Sequence, residues 1–161
     1  MRLVENFRSS LDKGEYIALL LMDLSKAYDC LDHELVITKL RAYGFDIKSI
    51  LLIYSYLKNR KQRVKVGQAL SNWKEIIMGV PQGSVMGPLL YNIFLNDIFF
   101  FVNTDGITNY ADDNGLFSSN KDIQIALEQI ENEAAILNNW FENNLMVANT
   151  DKYNLLTFGC N

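Results

Sequence analysis

Apolar positions near the amino end of the chain follow first a helical pattern and then a strand pattern. Residues 1–11 have the spacing of a short helix, which Gly14 is placed to end. Residues 16–22 follow, with a continuous apolar run from Ile17 to Met22. An uninterrupted run of this length is typical of a strand that is covered on both faces.

Two amphipathic helices are predicted next. Asp32 is a suitable N-cap for the first of them, and Gly44 is placed to close it. The apolar face of this helix is formed by Leu35, Val36, Leu40 and Tyr43. A second helix is expected from about Asp46, with Ile50, Leu51, Tyr54 and Leu57 at helical spacing.

The middle of the chain predicts a hairpin followed by a helix. Residues 62–66 and 73–78 have strand patterns and are joined by a polar loop over residues 67–72. Pro88 suits the first turn of the next helix. The apolar residues from 89 to 101 predict that this helix is largely buried.

The last third of the chain completes the predicted fold. Residues 106–110 and 114–118 flank Asp112 and Asp113 as a second hairpin. A long amphipathic helix over residues 122–143 should lie on a sheet, and residues 153–158 have the pattern of a last strand. Strands mixed with helices and at least two hairpins indicate an α+β fold, with helices covering one face of an antiparallel sheet.

Length and composition fit one globular domain. The 161 residues are 49% hydrophobic, which allows a proper core. Because no run of about eighteen apolar residues and no secretion signal occurs, we expect an intracellular protein without a membrane span, in the nucleus or the cytoplasm. Cys30 and Cys160 lie far apart, with no second Cys or His at ligand spacing, so neither a zinc site nor a disulfide framework is supported.

Charge is distributed unevenly along the chain. The formal net charge of −4 argues mildly against a polyanionic partner, because affinity for nucleic acid depends largely on Lys and Arg. The charged residues between positions 122 and 142 are acidic. Five basic residues nevertheless cluster at Lys58, Arg60, Lys61, Arg63 and Lys65. This cluster is either a local binding surface or an ordinary solvated face.

Three carboxylates are candidates for chemistry. Asp112 and Asp113 taken alone would be a solvated turn, since Asp is a favoured turn residue. Asp23, however, stands at the end of the predicted buried strand, where an unpartnered charge is costly. If that strand pairs with the hairpin, Asp23 and Asp112 meet and can bridge hard divalent cations. Two such ions about 4 Å apart can promote an in-line displacement at phosphorus.

The single histidine offers no competing chemistry. His33 lies at a predicted helix start, where a capping or surface position is expected. Because His33 has no Cys or second His to act with, the usual pairs of nucleophile and base lose support.

Three motifs stand in an order and spacing that resemble one family. Residues 22–29 read Met-Asp-Leu-Ser-Lys-Ala-Tyr-Asp, and residues 79–88 read Gly-Val-Pro-Gln-Gly-Ser-Val-Met-Gly-Pro. Residues 110–113 read Tyr-Ala-Asp-Asp, the YADD motif. Together they resemble the reverse transcriptases of non-LTR (LINE-like) retrotransposons, with the greatest similarity to the Jockey-like group. The resemblance extends from about Leu3 to Phe158.

The resemblance implies a fold and a reaction. The fold is a polymerase palm with part of the fingers at about residues 32–80. The reaction adds deoxynucleoside triphosphates (dNTPs) to a primer 3′-hydroxyl on an RNA or DNA template, with two Mg²⁺ or Mn²⁺ ions. In this scheme the catalytic metal ligands are Asp23, Asp112 and Asp113.

The resemblance also assigns residues to the nucleotide. Tyr28 becomes the aromatic gate beneath the incoming sugar, where its ring would clash with a ribose 2′-hydroxyl. Gln82 and Gly83 lie in the loop that contacts template and nucleotide, and Leu24 joins the same substrate site. Without the resemblance, Tyr28 would be assigned to core packing and the loop would be a simple turn.

Two basic features are assigned in the same way. Lys152, in the sequence Asn-Thr-Asp-Lys over residues 149–152, matches a lysine that protonates the departing pyrophosphate. A solvated surface lysine is the alternative. The basic cluster at residues 58–65 would contact template or primer phosphates.

The family pattern extends beyond this chain. We expect a single palm domain over residues 1–161 that lacks the full fingers and the thumb and belongs to a larger retrotransposon polyprotein. Polymerisation by the isolated chain is therefore expected to be weak or undetectable.

Two other functions stay open. A relic or domesticated palm would bind nucleic acid or protein without catalysis, and would show no stabilisation by Mg²⁺ or Mn²⁺ that Asp112→Asn abolishes. A two-metal nucleotidyl transferase that needs no template is the second alternative. Gln82 and Tyr110 speak against it, because both belong to the reverse transcriptase pattern.

Overall fold

The computed structural model describes residues 2–102, 106–110 and 113–159. The chain divides into two compact units. The first, here called the sheet unit, comprises Met1–Ala27 and Asn96–Asn161. The second, here called the insert unit, comprises Tyr28–Leu95.

The described residues form five α-helices and nine strands. In order they are α1 (Arg2–Asp12), β1 (Tyr16–Ser25), α2 (His33–Ala42), α3 (Ile47–Leu57), β2 (Lys61–Gln62), β3 (Lys65–Val66), β4 (Ala69–Leu70), β5 (Lys74–Glu75), α4 (Met86–Leu95), β6 (Ile107–Tyr110), β7 (Asp113–Asn120), α5 (Ile123–Asn143), β8 (Val147–Ala148) and β9 (Asn154–Phe158).

The predicted apolar run forms the central strand of the sheet unit. β1 pairs antiparallel with β7 from Tyr16↔Asn120 to Asp23↔Asp113, and β6 pairs with β7 on the outer side. Along its other edge, β1 pairs with β9 over residues 17–21 and with β8 over residues 24–25. All these pairings are antiparallel, so the predicted class of sheet is confirmed.

Helices cover both faces of β1. Ile17 and Leu19 form one buried cluster, against which Phe7 of α1 packs. Ala18, one residue out of phase with them, is buried with Ile130 of α5. Because successive side chains of a strand point to opposite faces, α1 and α5 lie on opposite sides. The mixed class is therefore confirmed, but the expectation that helices cover only one face was wrong.

The insert unit begins with the two predicted helices, and capping explains where they start. The Asp32 carboxylate accepts a hydrogen bond of 2.9 Å from the amide of Leu35 at the start of α2. Asp46 caps α3 by accepting from the amides of Lys48 and Ser49. Hydrogen bonds from the Ser49 hydroxyl and amide and from the Lys48 amide hold the pKa of Asp46 below its usual value.

The predicted hairpin is present but its pairing is shorter. β2 pairs with β5 and β3 pairs with β4, so each strand has only two residues and β4 lies within the predicted loop at residues 67–72. Residues 61–75 are all exposed. Because no core covers this segment, its two-stranded pairings gain little from burial and the ladders stay short.

The helix predicted after Pro88 differs at both ends. α4 begins earlier, at Met86, and ends at Leu95, where a 3₁₀ turn continues over Asn96–Phe100. Phe99 and Phe100 are exposed, so the prediction of a largely buried helix to residue 101 was wrong. Hydrophobicity alone predicted burial, whereas these exposed rings lie in the 3₁₀ turn that follows α4.

The long helix and the last strand of the sheet unit are confirmed, but β7 begins at Asp113 and not at residue 114, so Asp113 pairs within the ladder instead of lying in the predicted turn. The β6–β7 register ends at Tyr110↔Asp113, which leaves two positions between the strands, and these lie outside the described residues. α5 begins after Asp122, whose carboxylate accepts from the Gln124 amide, and β9 is the predicted last strand. Among the described helices, none has the length and apolarity to cross a membrane. Cys160 lies outside the described residues, so the expectation for the two thiols stays a prediction.

The packing of α5 can be tested with two identical substitutions. Ile130→Ala is expected to lower the free energy of unfolding by about 2–5 kcal/mol, because it leaves a cavity beside Ala18. Ile125→Ala removes the same atoms from a side chain on the same helix that is 43% exposed, and should change stability by only about 0.5 kcal/mol. Urea unfolding followed by circular dichroism measures both. Equal losses would contradict the assigned face of α5.

Candidate active site

The ends of β1 and β7 bring two of the predicted carboxylate residues together. Asp23 and Asp113 are direct Cα partners in the antiparallel ladder, although they are far apart in sequence. The predicted pairing of β1 with the hairpin is confirmed, and it sets the backbone of Asp113 beside that of Asp23. Asp112 lies outside the described residues, so its place in the site stays a prediction.

Asn149 holds Asp23 from the other edge of β1. Its backbone amide donates to the Asp23 carbonyl oxygen at 2.9 Å, and its side-chain Nδ2 donates to Asp23 Oδ2 at 3.3 Å. The two hydrogen bonds fix both the backbone and one carboxylate oxygen. Asn149 was not predicted as a site residue, and its only signal was its position in the four-residue motif that ends at Lys152.

Lys152 contacts the same carboxylate. The 3₁₀ turn Thr150–Lys152 follows Asn149, and the Lys152 ammonium lies 3.2 Å from Asp23 Oδ2. The Lys152 side chain is 65% exposed and that of Asp23 28%, so solvent screens the pair. Such ion pairs contribute at most about 1 kcal/mol and can be broken at little cost.

The chemistry of this donor set fits a divalent cation. Asp23 presents a half-buried carboxylate, one oxygen of which is oriented by an amide and already faces a positive charge. Carboxylate oxygens are the ligands that Mg²⁺ prefers. Within residues 2–102, 106–110 and 113–159, no group of three or more His, Cys, Asp or Glu residues could hold a metal. The predicted third carboxylate, Asp112, is outside these ranges.

The insert unit contains a cavity of about 480 Å³ that joins three of the predicted substrate residues. Its lining is mostly apolar and consists of Tyr28, Val80, Pro81, Gln82, Gly83, Ser84, Val85, Gly87 and Pro88. Tyr28 stacks on the fully buried Tyr91, with ring centroids 4.6 Å apart, so its ring is anchored from behind. Gln82 is exposed, with Nε2 3.4 Å from Asp29 Oδ1.

Backbone hydrogen bonds order the loop that carries Gln82. The Gly79 amide donates to the Leu31 carbonyl at 2.7 Å, and the Val80 amide donates to the Tyr28 carbonyl at 3.0 Å. Gly79 has φ +80°, and a Cβ there would lie 2.8 Å from the Asp29 carbonyl oxygen. Only glycine combines this conformation with so close an approach.

His33 has a different role from the one expected. It is buried, and Nε2 lies 2.8 Å from the Gly79 carbonyl oxygen, to which it donates. The expectation of a capping or surface position was wrong, because Asp32 is the N-cap of α2 and the side chain of His33 is buried. His33 thus supports the Gln82 loop.

Leu24 does not offer its side chain to a substrate. It is only 3% exposed, and its backbone pairs with Ala148 of β8. The burial follows from its position in β1, one residue out of phase with Asp23. Any contact between Leu24 and a substrate would therefore involve the backbone atoms of Leu24 and not its side chain.

The basic cluster lies on the exposed hairpin of the insert unit, here called the basic arm, residues 58–75. Lys58 Nζ donates to the Tyr54 hydroxyl at 2.6 Å, which raises the pKa of Lys58. The Lys61 ammonium lies 3.8 Å from Glu75 on the paired strand. Arg60 is half-buried, whereas Lys61, Arg63 and Lys65 are exposed.

Comparison with known proteins gives a family and a fold. The reverse transcriptase (RNA-dependent DNA polymerase) family matches residues 1–158. The chain is 29% identical to an RNA-directed DNA polymerase from the mobile element jockey of Drosophila melanogaster, over 98% of this chain and 18% of that protein. The corresponding protein of Drosophila funebris is 32% identical over 75% of the chain and 13% of its own length. The predicted resemblance to jockey-type elements is confirmed, and the chain spans less than a fifth of these relatives.

Solved structures agree on the fold. Apo telomerase from Candida tropicalis, truncated from its C-terminal domain, superposes with a TM-score of 0.71 at 17% identity, over 99% of this chain and 35% of that one. Telomerase from Candida albicans in complex with a TWJ fragment of telomeric RNA gives 0.69 at 17% identity, over 96% and 30%. At this identity the likeness shows the fold alone, which is consistent with a polymerase palm.

The close approach at Gly79 can be separated from its backbone conformation. Gly79→Ala and Gly44→Ala both place alanine at φ +80°, but a Cβ at Gly44 meets nothing within 4 Å. We expect Gly44→Ala to cost about 1–2 kcal/mol, the usual penalty of left-handed backbone. Gly79→Ala should cost more, because Asp29 must also move. Equal losses in urea unfolding would contradict the close approach.

Proposed function

We propose that this chain, which belongs to the reverse transcriptase (RNA-dependent DNA polymerase) family, carries the catalytic centre of a templated DNA polymerase. The reaction joins the primer 3′-oxygen to the α-phosphorus of a dNTP and releases pyrophosphate. The proposal rests on the strand register that sets Asp23 beside Asp113. The Lys152 ammonium contacts the carboxylate of Asp23.

The metal ligands are the first part of the proposal. Reverse transcriptases generally use divalent metal ions. We assign two ions, Mg²⁺ or Mn²⁺, to Asp23, Asp112 and Asp113. When bound, such ions lower the pKa of the attacking hydroxyl and neutralise charge on the phosphates.

The residues around Asp23 orient it and handle a proton. Asn149 holds Oδ2 of Asp23, which restricts the rotation of the carboxylate. Lys152 contacts that oxygen through a weak, exposed ion pair, so its ammonium can leave at little cost. We assign Lys152 the transfer of its proton to the departing pyrophosphate.

The cavity of the insert unit is assigned to the nucleotide. Tyr28, stacked on Tyr91, would place the edge of a rigid ring beneath the sugar and exclude a 2′-hydroxyl. Gln82 and Gly83 would contact the nucleotide and the templating base. Support comes from the shared cavity and from the backbone hydrogen bond that joins Val80 to Tyr28.

The remaining assignments concern partners and domains. The sheet unit is assigned to the palm, and the insert unit contains the part of the fingers expected at about residues 32–80. The basic arm would contact phosphates of an RNA or DNA template with its primer through Lys58, Arg60, Lys61, Arg63 and Lys65.

The carboxylate assignment is tested by single-turnover addition of one nucleotide to a primer with excess protein. We expect addition of the complementary dNTP to require Mg²⁺ or Mn²⁺, and Asp23→Asn to slow it on the order of a hundredfold or more. Asp12→Asn, an exposed acid at the end of α1, is the matched control and should have no effect. Metal should also raise the unfolding midpoint, unless Asp23 is changed. A midpoint that never responds to metal would favour the non-catalytic alternative.

The sugar gate is tested by comparing dNTP with rNTP addition. Tyr28→Ala should reduce discrimination between them about tenfold or more, chiefly through a lower KM for the rNTP. Tyr28→Phe retains the ring and its stacking on Tyr91, so its discrimination should match that of the unchanged protein. If both variants discriminate equally well, Tyr28 is not the gate.

A further inference from the structure

The basic arm is an exposed surface without a core of its own. Its short ladders are β2–β5 and β3–β4, and residues 61–75 are exposed throughout. Several of its large apolar side chains are open to solvent, namely Val64, Val66, Leu70 and Trp73. Folding alone does not account for them, because exposed apolar groups add little to stability.

The charge of the arm indicates what kind of partner fits it. Six of the 15 Lys and Arg residues of the chain lie in residues 58–75, with Glu75 as the sole acid there. The chain as a whole carries −4. Positive charge concentrated on one thin hairpin of an acidic protein complements a polyanion.

Trp73 gives this surface a specific geometry. The Arg63 guanidinium lies over its ring, 4.6 Å from the centroid, because the two residues flank the paired positions Gln62 and Lys74. Trp73 remains 58% exposed, whereas the other tryptophan, Trp140, is 4% exposed in the sheet unit. An indole that served only to hold the arm together would be covered. The indole of Trp73 is instead contacted by the Arg63 guanidinium and remains exposed to solvent.

We propose that Trp73, oriented by Arg63, is a stacking platform for unpaired nucleobases of a single strand whose phosphates the basic arm binds. The inference rests on the proposed function for its choice of polyanion. Indole and guanidinium planes both stack on bases, and the neighbouring exposed lysines supply positive charge for the phosphates. A duplex would not serve, since its base faces are covered.

The experiment separates bases from phosphates. The 161-residue protein is titrated at roughly 50 mM salt with a fluorescein-labelled single-stranded oligonucleotide, and with an abasic oligomer of equal length and charge. We expect the base-containing strand to bind about 5–150-fold more tightly, the range for one stacked base. Because Trp140 is buried, quenching of tryptophan emission by the base-containing strand alone should report Trp73.

Three variants provide the comparison. Trp73→Ala should remove the preference for bases and leave binding of the abasic oligomer unchanged, and Trp73→Phe should retain part of it. Val66→Ala, an exposed apolar residue of the same arm, should change neither affinity. Lys65→Gln should weaken both oligomers equally and reduce the salt dependence by about one counterion.

The outcomes separate this inference from the proposed function. Equal affinity for the two oligomers in the unchanged protein overturns stacking but leaves phosphate binding by the arm intact. An equal loss for both oligomers in Trp73→Ala also overturns it, because Trp73 would then only support the arm. If neither oligomer binds, the assignment of the arm to nucleic acid fails with it. A change of oligomeric state in Trp73→Ala by size-exclusion chromatography would instead identify a protein interface and overturn the proposal.

Discussion

The register between β1 and β7 is the constraint on which the sheet unit depends. Side chains of a strand alternate between its faces, so a slip of one residue would exchange the face that α1 covers with the face that α5 covers. It would also separate Asp23 from Asp113. The buried clusters on both sides of β1 oppose such a slip, because the small Ala18 fits beneath α5 while larger side chains fill the other side. The hydrophobic core thus sets the backbone positions of Asp23 and Asp113.

The carboxylate of Asp23 is oriented without being deeply buried. Complete burial would impose a desolvation cost that a single exposed lysine could not offset. At 28% exposure the side chain keeps contact with solvent, while Asn149 restrains one of its oxygens. A partly exposed carboxylate held in this way can lose its contact with Lys152 at little cost. The ion pair with Lys152 is therefore better understood as part of the site than as a source of stability.

Local signals predicted most of the elements, and contacts distant in sequence account for the errors. The three helix starts at Asp32, Asp46 and Asp122 were predictable because an N-cap and the amides it binds lie within three residues. The two-residue strands of the arm were not, since strand patterns carry no information on whether a core covers them. Asp23 was proposed as a site residue from its place at the end of an apolar strand and from motif order, whereas the contact of Asn149 depends on the pairing of distant strands. His33 was misassigned for the same reason, as its partner, Gly79, is 46 residues away.

The support of the Gln82 loop shows how a cavity can be built from few contacts. The hydrogen bond between the Val80 amide and the Tyr28 carbonyl joins the segment that carries the aromatic ring to the segment that carries Gln82. The His33 ring donates a hydrogen bond to the buried Gly79 carbonyl oxygen. Without His33 this acceptor would lose a partner, which costs free energy in a buried position. Because a carbonyl only accepts, Nε2 must carry the proton whatever the charge of the ring. The Gly79 carbonyl thereby determines the tautomer of His33, and the buried His33 ring in turn helps to hold the loop in place.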